Sequence, residues 1–312
     1  ATPQTLVSSL SSTRYSAGKF WSTRIGTFIV IAAFLYALQL FLTPNLGIYD
    51  MRILVNSLLY ATLAVSLNLI NGITGQFSMG HAAFYLSGAI ISGKISSMYY
   101  KTAGVPGWLW LPLMVLVGAI GASLIGLLVG IPSLRLRGDY LAVMTMGFGE
   151  IARVIVINQD GGKQAFGGLD LGGAYGLQGV PKLTEMYHLI LLLVVAIALS
   201  RNLLKTAHGL SFLSVREDEL AADATGVHST RIKVTAFTIG AAIAGMAGAL
   251  FAHYNRSVSP DDFKMDVSFM LVAMVVIGGT GSITGAAIAG ISLKVLEEGL
   301  RALPGISAYA LY

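Results

Sequence analysis

Long apolar runs separated by short polar segments make up most of the chain, and they predict helices that cross a bilayer. A transmembrane helix needs about 20 apolar residues, and the runs provide about nine such spans. They lack the alternation of apolar and polar residues that is typical of barrel strands. The pattern predicts an all-α, polytopic transmembrane helix bundle, which forms a single domain over 1–312 with a polar, basic N-terminal segment at 1–24. The predicted spans are 25–42, two spans within 53–93, 108–131, 140–157, 186–199, 234–254, 267–277 and 286–296.

Two uncharged, glycine-rich stretches interrupt the apolar runs, at 71–81 and 278–285. The tripeptide Ile-Thr-Gly occurs in both, at 73–75 and 283–285, which indicates a weak internal repeat. Backbone without helical hydrogen bonds is tolerated at membrane depth only inside protein or beside water. Glycine-interrupted segments in corresponding halves are typical of broken helices along a transport path. Tight turns between neighbouring helices are the alternative.

Glu150 and Arg153 lie three residues apart on one face of the predicted span 140–157. Ionisable groups at membrane depth normally face the interior of a bundle or a water-filled cavity. The two side chains are either a mutually satisfied pair that fixes helix packing or a part of the path. The candidate path residues are Asn71, Thr74, Gly75, Gln76, Ser78, His81, Glu150, Arg153, Gly279, Thr280, Gly281 and Ser282.

The densest group of charges lies at 209–227, inside a polar segment at 200–233 that separates two predicted spans. Glu219 and Asp223 fall four residues apart, at helical spacing, among small side chains. A polar helix of this kind, ending at Gly226, has the surface of a docking element. A solvated connection between two spans is the alternative. If the N-terminus is cytoplasmic, basic residues are slightly more numerous on the inner side, which places 200–233 in the cytoplasm.

The composition supports a membrane protein and excludes several other classes. Hydrophobic residues make up 55% of the 312 residues and charged residues only 11%, whereas soluble domains carry about 25% charged residues. The absence of cysteine excludes disulfides and thiolate metal sites, and the five histidines show no ligand spacing, so no metal site is predicted. The net charge of +5 fits basic loops beside a membrane better than it fits nucleic acid.

No motif indicates that the chain is an enzyme or binds a nucleotide itself. The stretch 88–95 resembles a phosphate-binding loop, but Ile95 stands where a serine or threonine is needed to hold magnesium. The stretch 147–152 matches the glycine pattern of a dinucleotide site without a preceding strand. Neither a nucleophile elbow nor a zinc-peptidase motif is present. The prediction is therefore a non-enzyme without a directly bound cofactor.

Four stretches, taken in order, resemble the LivM-type permease subunit of bacterial ABC importers for branched-chain amino acids, in the LivHM family. They are 66–81, 134–143 continuing into 147–153, 215–222 together with Gly226, and 278–285. Members of this family usually continue beyond a stretch like 303–305 into one more apolar span. The resemblance therefore implies a possible tenth span that this sequence lacks.

The resemblance also implies a function and an assembly. It implies a subunit in the bacterial inner membrane, in contact with lipid, that imports leucine, isoleucine or valine by alternating access. The implied partners are a LivH-type permease, two subunits that bind ATP and magnesium, and a periplasmic amino-acid-binding protein; no nucleic acid is implied. The residues implied in coupling to an ATPase are Arg216, Glu217, Asp218, Glu219, Ala221, Ala222, Asp223 and Gly226.

Two other functions remain compatible with the sequence. The same architecture could carry urea, short amides or other neutral amino acids. A stand-alone, ion-coupled secondary transporter is the alternative from a different class. It would need an acidic residue within the membrane to bind the coupling ion, and Glu150 is the clearest candidate.

Overall fold

A computed structural model describes Gln39 and residues 47–133, 139–159 and 171–301. The predicted N-terminal segment 1–24, most of the first predicted span at 25–42, and the position where a tenth span would follow lie outside the described residues.

Ten α-helices, with one two-stranded sheet, form the described part of the chain. The helices are α1 Ile48–Asn68, α2 His81–Ala103, α3 Gly107–Ser133, α4 Asp139–Ile157, α5 Met186–Leu204, α6 Ala207–Glu217, α7 Glu219–Ala224, α8 Ser229–Asn255, α9 Met265–Ile277 and α10 Ile283–Arg301. Short 3₁₀ turns occur at Gly173–Tyr175 and Pro260–Phe263. The strands β1 Leu177–Gln178 and β2 Ser257–Val258 pair antiparallel.

The prediction of an all-α membrane bundle is confirmed. Five described helices or helix-containing segments are long and apolar enough to cross a membrane: Ile48–Ile73, Gly107–Pro132, Tyr140–Ile157, Met186–Leu204 and Ser229–Asn255. The predicted eighth span corresponds to α9, which has 13 residues. At 1.5 Å per residue this helix is about 20 Å long, shorter than the roughly 30 Å hydrocarbon layer, so α9 alone does not cross it.

Glycines allow α2, α3 and α8 to pack backbone against backbone. A Cβ atom added at Gly88 of α2 would lie 2.2 Å from the carbonyl oxygen of Gly245 in α8. One added at Gly248 would lie 2.1 Å from the carbonyl oxygen of Tyr85, and one at Gly245 would lie 2.5 Å from that of Gly118 in α3. In lipid the hydrophobic effect does not drive helix association, so helices associate through close packing at small residues. These three helices therefore form a closely packed group within the bundle.

Helices α1 and α10 run antiparallel along one another. Tyr49 near the start of α1 donates a hydrogen bond to Glu298 near the end of α10, at 3.4 Å. In the middle, a Cβ atom at Gly290 would lie 2.6 Å from Cα of Ala61. At the other end, the backbone N–H of Gly281 donates to Oδ1 of Asn68 at 2.9 Å. The two predicted breaks, which follow α1 and precede α10, therefore lie at the same end of the bundle.

Helix α8 connects the two ends of the bundle. This helix has 27 residues and is about 40 Å long. It begins next to α7, at what is called here the α7 end. It finishes next to β2, at what is called the β end, where Leu177 pairs with Val258 and Gln178 with Ser257.

Candidate functional site

The first break begins as a widened turn of the helix. After Asn68 the chain forms a π-helical turn over Leu69–Ile73, a feature that often marks functional positions. Both the Thr74 hydroxyl, at 2.8 Å, and the backbone N–H of Gln76, at 3.1 Å, donate to the carbonyl oxygen of Ile70. Gly75 then adopts a φ of +69°, which an L side chain disfavours. The predicted break is thus a real interruption with a defined backbone.

The loop between α1 and α2 is held by its own asparagine and by α4. The Asn71 side chain donates to the Ser78 carbonyl and accepts from the Ser78 N–H, both at 3.2 Å. The N–H of Met79 donates to the Thr145 hydroxyl of α4 at 3.1 Å. A Cβ atom at Gly80 would lie 2.2 Å from the carbonyl oxygen of Thr145. The loop is therefore packed rather than solvated.

The second break meets the first through backbone contact. Gly279 and Gly281 have φ values of +90° and +88°, so the chain turns sharply before α10. A Cβ atom at Gly72 would lie 2.3 Å from the backbone nitrogen of Gly281 and 2.0 Å from Oδ1 of Asn68. The name glycine junction is used below for the contact among Asn68, Gly72 and Gly281.

Arg216, at the end of α6, reaches this junction from the predicted coupling segment. Its Nη1 donates to the carbonyl oxygen of Gly72 at 3.3 Å. A Cβ atom would lie 2.8 Å from Cγ of Arg216 if added at Gly75, and 3.1 Å from Nη1 if added at Gly281. The Arg216 guanidinium also pairs with Glu217. The Arg216 side chain therefore hydrogen-bonds to the first break and lies next to the second.

Apolar packing attaches α6 to the same region. Phe212 of α6 is fully buried in one hydrophobic cluster with Leu69 and Ile73 of the first break and Ile283 at the start of α10. A displacement of α6 would thus act on the breaks through both the core and the arginine.

The polar helix that the spacing predicts through Glu219 and Asp223 is present as α7, and a separate helix, α6, precedes it. Helix α6 ends at Glu217, and Asp218 takes an extended conformation. Its side chain then accepts hydrogen bonds from the N–H groups of Leu220, at 2.9 Å, and Ala221, at 3.1 Å. An aspartate in this position is a strong N-cap, so it ends one helix and begins the next. Ala221 and Gly226 are exposed and Ala222 is buried.

Glu219 and Asp223 make intramolecular contacts at the α6–α7 corner. Glu219 pairs with Lys233 of α8 at 2.7 Å. The Asp223 carboxylate accepts from the backbone N–H of Ser229, at 3.0 Å, and from its hydroxyl, at 3.1 Å. These hydrogen bonds lower the pKa of Asp223. The two carboxylates therefore attach α7 to α8 as well as facing outward.

Glu150 and Arg153 form the pair that their spacing predicts. Nε of Arg153 donates to Oε1 of Glu150 at 2.9 Å. The guanidinium also lies 3.7 Å from Asp261, beside the turn that precedes α9. This pair joins α4 to the β end and makes no contact with the glycine junction among the described residues.

Buried polar atoms without a protein partner are concentrated around the first break. They include Asn68 Nδ2, both amide atoms of Gln76, Ser78 Oγ and His81 Nδ1, within the described residues. The His81 Nε2 atom lies 2.6 Å from the hydroxyl of Ser66. At the second break Thr280 and Ser282 are exposed, and the hydroxyl of Ser282 accepts from the N–H of Gly285 at 3.1 Å. Unpaired buried groups are rare in native proteins and need a specific explanation.

Comparison with known sequences identifies the family. Residues 51–311 match the family described as branched-chain amino acid transport system / permease component. The chain belongs to this family. Since five of its described segments suit a membrane span, it is a multi-pass membrane protein.

The relatives of this chain are named as transport permeases. The chain is 36% identical over 271 residues to the high-affinity branched-chain amino acid transport system permease protein LivM of Escherichia coli (strain K12), covering 78% of this chain and 62% of that protein. A probable LivM of Methanocaldococcus jannaschii is 26% identical over 266 residues, which cover 74% of this chain and 75% of that protein. It is 24% identical over 253 residues, 76% of this chain and 80% of the relative, to LivH of Escherichia coli (strain K12).

The match covers under two thirds of the length of the LivM proteins of Escherichia coli and Salmonella typhimurium, 62% of each. No solved structure matches the chain.

A charged cleft that the sequence analysis missed lies at the β end of this permease family member. Its volume is about 580 Å³, and it is lined by α1, α2, α8, α9, α10 and the turn before α9. Lys294 of α10 is buried there, 4.5 Å from the ring of Tyr60 and 2.8 Å from Glu297. The available signal was the spacing of the charges 294, 297, 298 and 301, which repeat at three and four residues on one face of α10.

Proposed function

We propose that this chain is the permease subunit of an ATP-driven ABC importer for branched-chain amino acids in the bacterial inner membrane. The observation that carries the proposal is Arg216, which connects an exposed helical corner to both glycine breaks. In an ATP-driven permease, movement of the helix that contacts the ATPase must rearrange the broken helices, and this requires such a contact. Family membership and the names of the relatives agree with it.

The proposed ATPase contact is the α6–α7 corner, on the cytoplasmic side. Leu220 is 68% exposed on α7, and Ala221, Asp223 and Gly226 are exposed beside it. A short apolar knob ringed by small and polar residues suits insertion into a groove of a partner protein. The capping by Asp218 and the Glu219–Lys233 ion pair make the corner stiff enough to transmit force.

The proposed path passes the glycine junction. The unpaired amide and hydroxyl groups of Gln76 and Ser78 are neutral hydrogen-bonding groups, which suit a zwitterion because they bind both of its charges without trapping it. Movement of Arg216 would shift Gly72 and Gly281 relative to each other, and this would open or close the path beside them. Access would then alternate between the two ends of the bundle.

The proposed importer contains further subunits. A LivH-type permease would complete the membrane unit, two ATPase subunits would bind ATP and magnesium, and a periplasmic binding protein would deliver leucine, isoleucine or valine. A stand-alone ion-coupled transporter fits less well. Its candidate coupling residue, Glu150, is already hydrogen-bonded to Arg153 and is thereby less available to a cation.

The test is transport by the reconstituted importer. Leucine uptake into proteoliposomes is expected only when the ATPase subunits, ATP and the binding protein are all present. Urea and acetamide serve as competing solutes that probe the alternative substrates. ATP-dependent uptake of urea or acetamide in place of leucine would overturn the substrate assignment.

A further inference from the structure

Four of the eight charged residues that line the cleft at the β end neutralise one another. Lys294 pairs with Glu297 at 2.8 Å. Arg301 pairs with Glu297 at 2.7 Å and with Glu298 at 3.5 Å. These pairs form one continuous network along α10, and they stabilise the wall of the cleft.

Arg52, Asp262 and Asp266 line the same cleft without an ion pair to any described residue. Partial burial raises the pKa of Asp262, a backbone hydrogen bond from Ser259 opposes this rise, and the charge of Arg52 opposes it to a smaller extent. Arg52 and Asp262 nevertheless form no ion pair. All three side chains are exposed, so both signs of charge remain available to a ligand that carries the opposite charges.

The remaining lining combines apolar surface with neutral polar groups. Ile53, Phe251, Val267 and Met270 supply the apolar part. Tyr85 is 2% exposed, and its hydroxyl makes no hydrogen bond to a described residue. Because Tyr85 lines the cleft, its hydroxyl can donate a hydrogen bond to a polar ligand there.

We propose that this cleft binds a zwitterionic α-amino acid with an aliphatic side chain. Arg52 binds its carboxylate, Asp262 binds its ammonium group, and Ile53, Val267 and Met270 contact its side chain. A planar guanidinium suits a carboxylate because it can donate two parallel hydrogen bonds. The volume of about 580 Å³ lies in the usual range for small-molecule sites.

The position of the cleft fits entry from the side opposite the ATPases. It lies along the outer halves of α1 and α10, and the glycine junction lies where the other ends of these helices meet. The inference thus rests on the proposed function, for which it names the site where the solute first binds. A rearrangement at the junction can alter the cleft through the same two helices.

The test measures binding of radiolabelled L-leucine to the chain, purified with its permease and ATPase partners in lipid nanodiscs. The variants are Arg52→Gln, Asp262→Asn and the charge-conserving Arg52→Lys. The control is Lys101→Gln, an exposed cation at the same end of the bundle that does not line this cleft. Leucinol, which lacks the carboxylate, and 4-methylpentanoate, which lacks the ammonium group, serve as competitors.

Losing a charge-assisted contact is expected to weaken leucine binding by about tenfold or more in Arg52→Gln and in Asp262→Asn. Arg52→Lys should recover part of the affinity, and Lys101→Gln should match the wild type. Arg52→Gln should also no longer prefer leucine to leucinol, and Asp262→Asn should no longer prefer leucine to 4-methylpentanoate. A general folding defect would not produce these two opposite changes in preference.

The failure of this inference is distinguishable from that of the proposed function. If the wild-type importer takes up leucine but binds none saturably, or if both variants bind it like the wild type, the cleft assignment is wrong and the function stands. Equal binding of leucinol and leucine by the wild type would show a cation site instead and would also overturn the assignment. If the wild-type importer neither binds nor transports leucine, the proposed function itself fails.

Discussion

Replacing Gly72 by alanine tests the glycine junction directly. The new Cβ atom would lie 2.0 Å from Oδ1 of Asn68 and 2.3 Å from the backbone nitrogen of Gly281, whereas carbon atoms in contact normally lie about 3.5–4.0 Å apart. The Asn68 side chain can rotate away, but the backbone at Gly281 must move. The two breaks are therefore forced apart.

The cost of Gly72→Ala has two parts. Overpacking in a close-packed interior costs about 1–3 kcal/mol. Separating the breaks also removes the 2.9 Å hydrogen bond between Gly281 and Asn68, worth about 1 kcal/mol. The sum is about 2–4 kcal/mol of destabilisation.

The matched control is Gly147→Ala in α4, where an added Cβ atom meets nothing within 4 Å. Alanine is the better helix former by about 1 kcal/mol, so this variant should be as stable as the wild type or slightly more stable. Thermal unfolding of the purified complex, with leucine uptake measured in parallel, compares the two. Equal unfolding temperatures and equal uptake in Gly72→Ala and Gly147→Ala would refute the close contact of the breaks.

Three further predictions concern the α6–α7 corner. Arg216→Gln removes the charged donor to Gly72, worth about 1 kcal/mol for a partly exposed contact. The equilibrium between arrangements of the breaks should then shift by about fivefold, and leucine transported per ATP should fall; unchanged coupling would exclude this route. Leu220→Ala should release the ATPase partner during purification without lowering the yield of the chain, and full retention of the ATPase would contradict docking at α7. Because Ser229 lowers the pKa of Asp223, the ionised carboxylate stabilises the corner above the ordinary pKa of about 4, and this stabilisation is lost as the pH falls through the lowered pKa. Asp223→Asn should abolish that acid-side loss in thermal unfolding curves; an unchanged pH profile would show that Asp223 does not contribute.

The hydrophobic pattern predicts the helices but not where they end. Helix α5 continues to Leu204 and α8 begins at Ser229, five residues beyond the predicted limits of 199 and 234. The added turns contain Arg201, Arg231 and Lys233. Hydropathy detects where a helix leaves the hydrocarbon, whereas helical hydrogen bonding continues into water.

Local motifs also predict the two breaks, but not that they meet. The contact between Arg216 and Gly72 joins residues 144 positions apart, and the contact between Gly281 and Asn68 joins residues 213 apart. Such distances in sequence leave no periodic signal. The cleft was missed for the same reason, since α1, α9 and α10 each contribute only a few of its residues.

The division of the charged segment followed a weaker local signal. Spacing predicts the helix through Glu219 and Asp223, which is α7, but it does not predict the boundary with α6 at the N-cap Asp218. Phe212 of α6, on the other side of this boundary, packs into the core. The roles assigned to the segment and to the path residues stay predictions.

Uptake of leucine by proteoliposomes that contain the permease subunits without the ATPases is the most direct test of the account. The vesicles carry an imposed proton or sodium gradient, and a parallel set contains the complete importer with ATP and binding protein. The account predicts uptake only in the complete set. Gradient-driven accumulation of leucine by the permease subunits alone would contradict it.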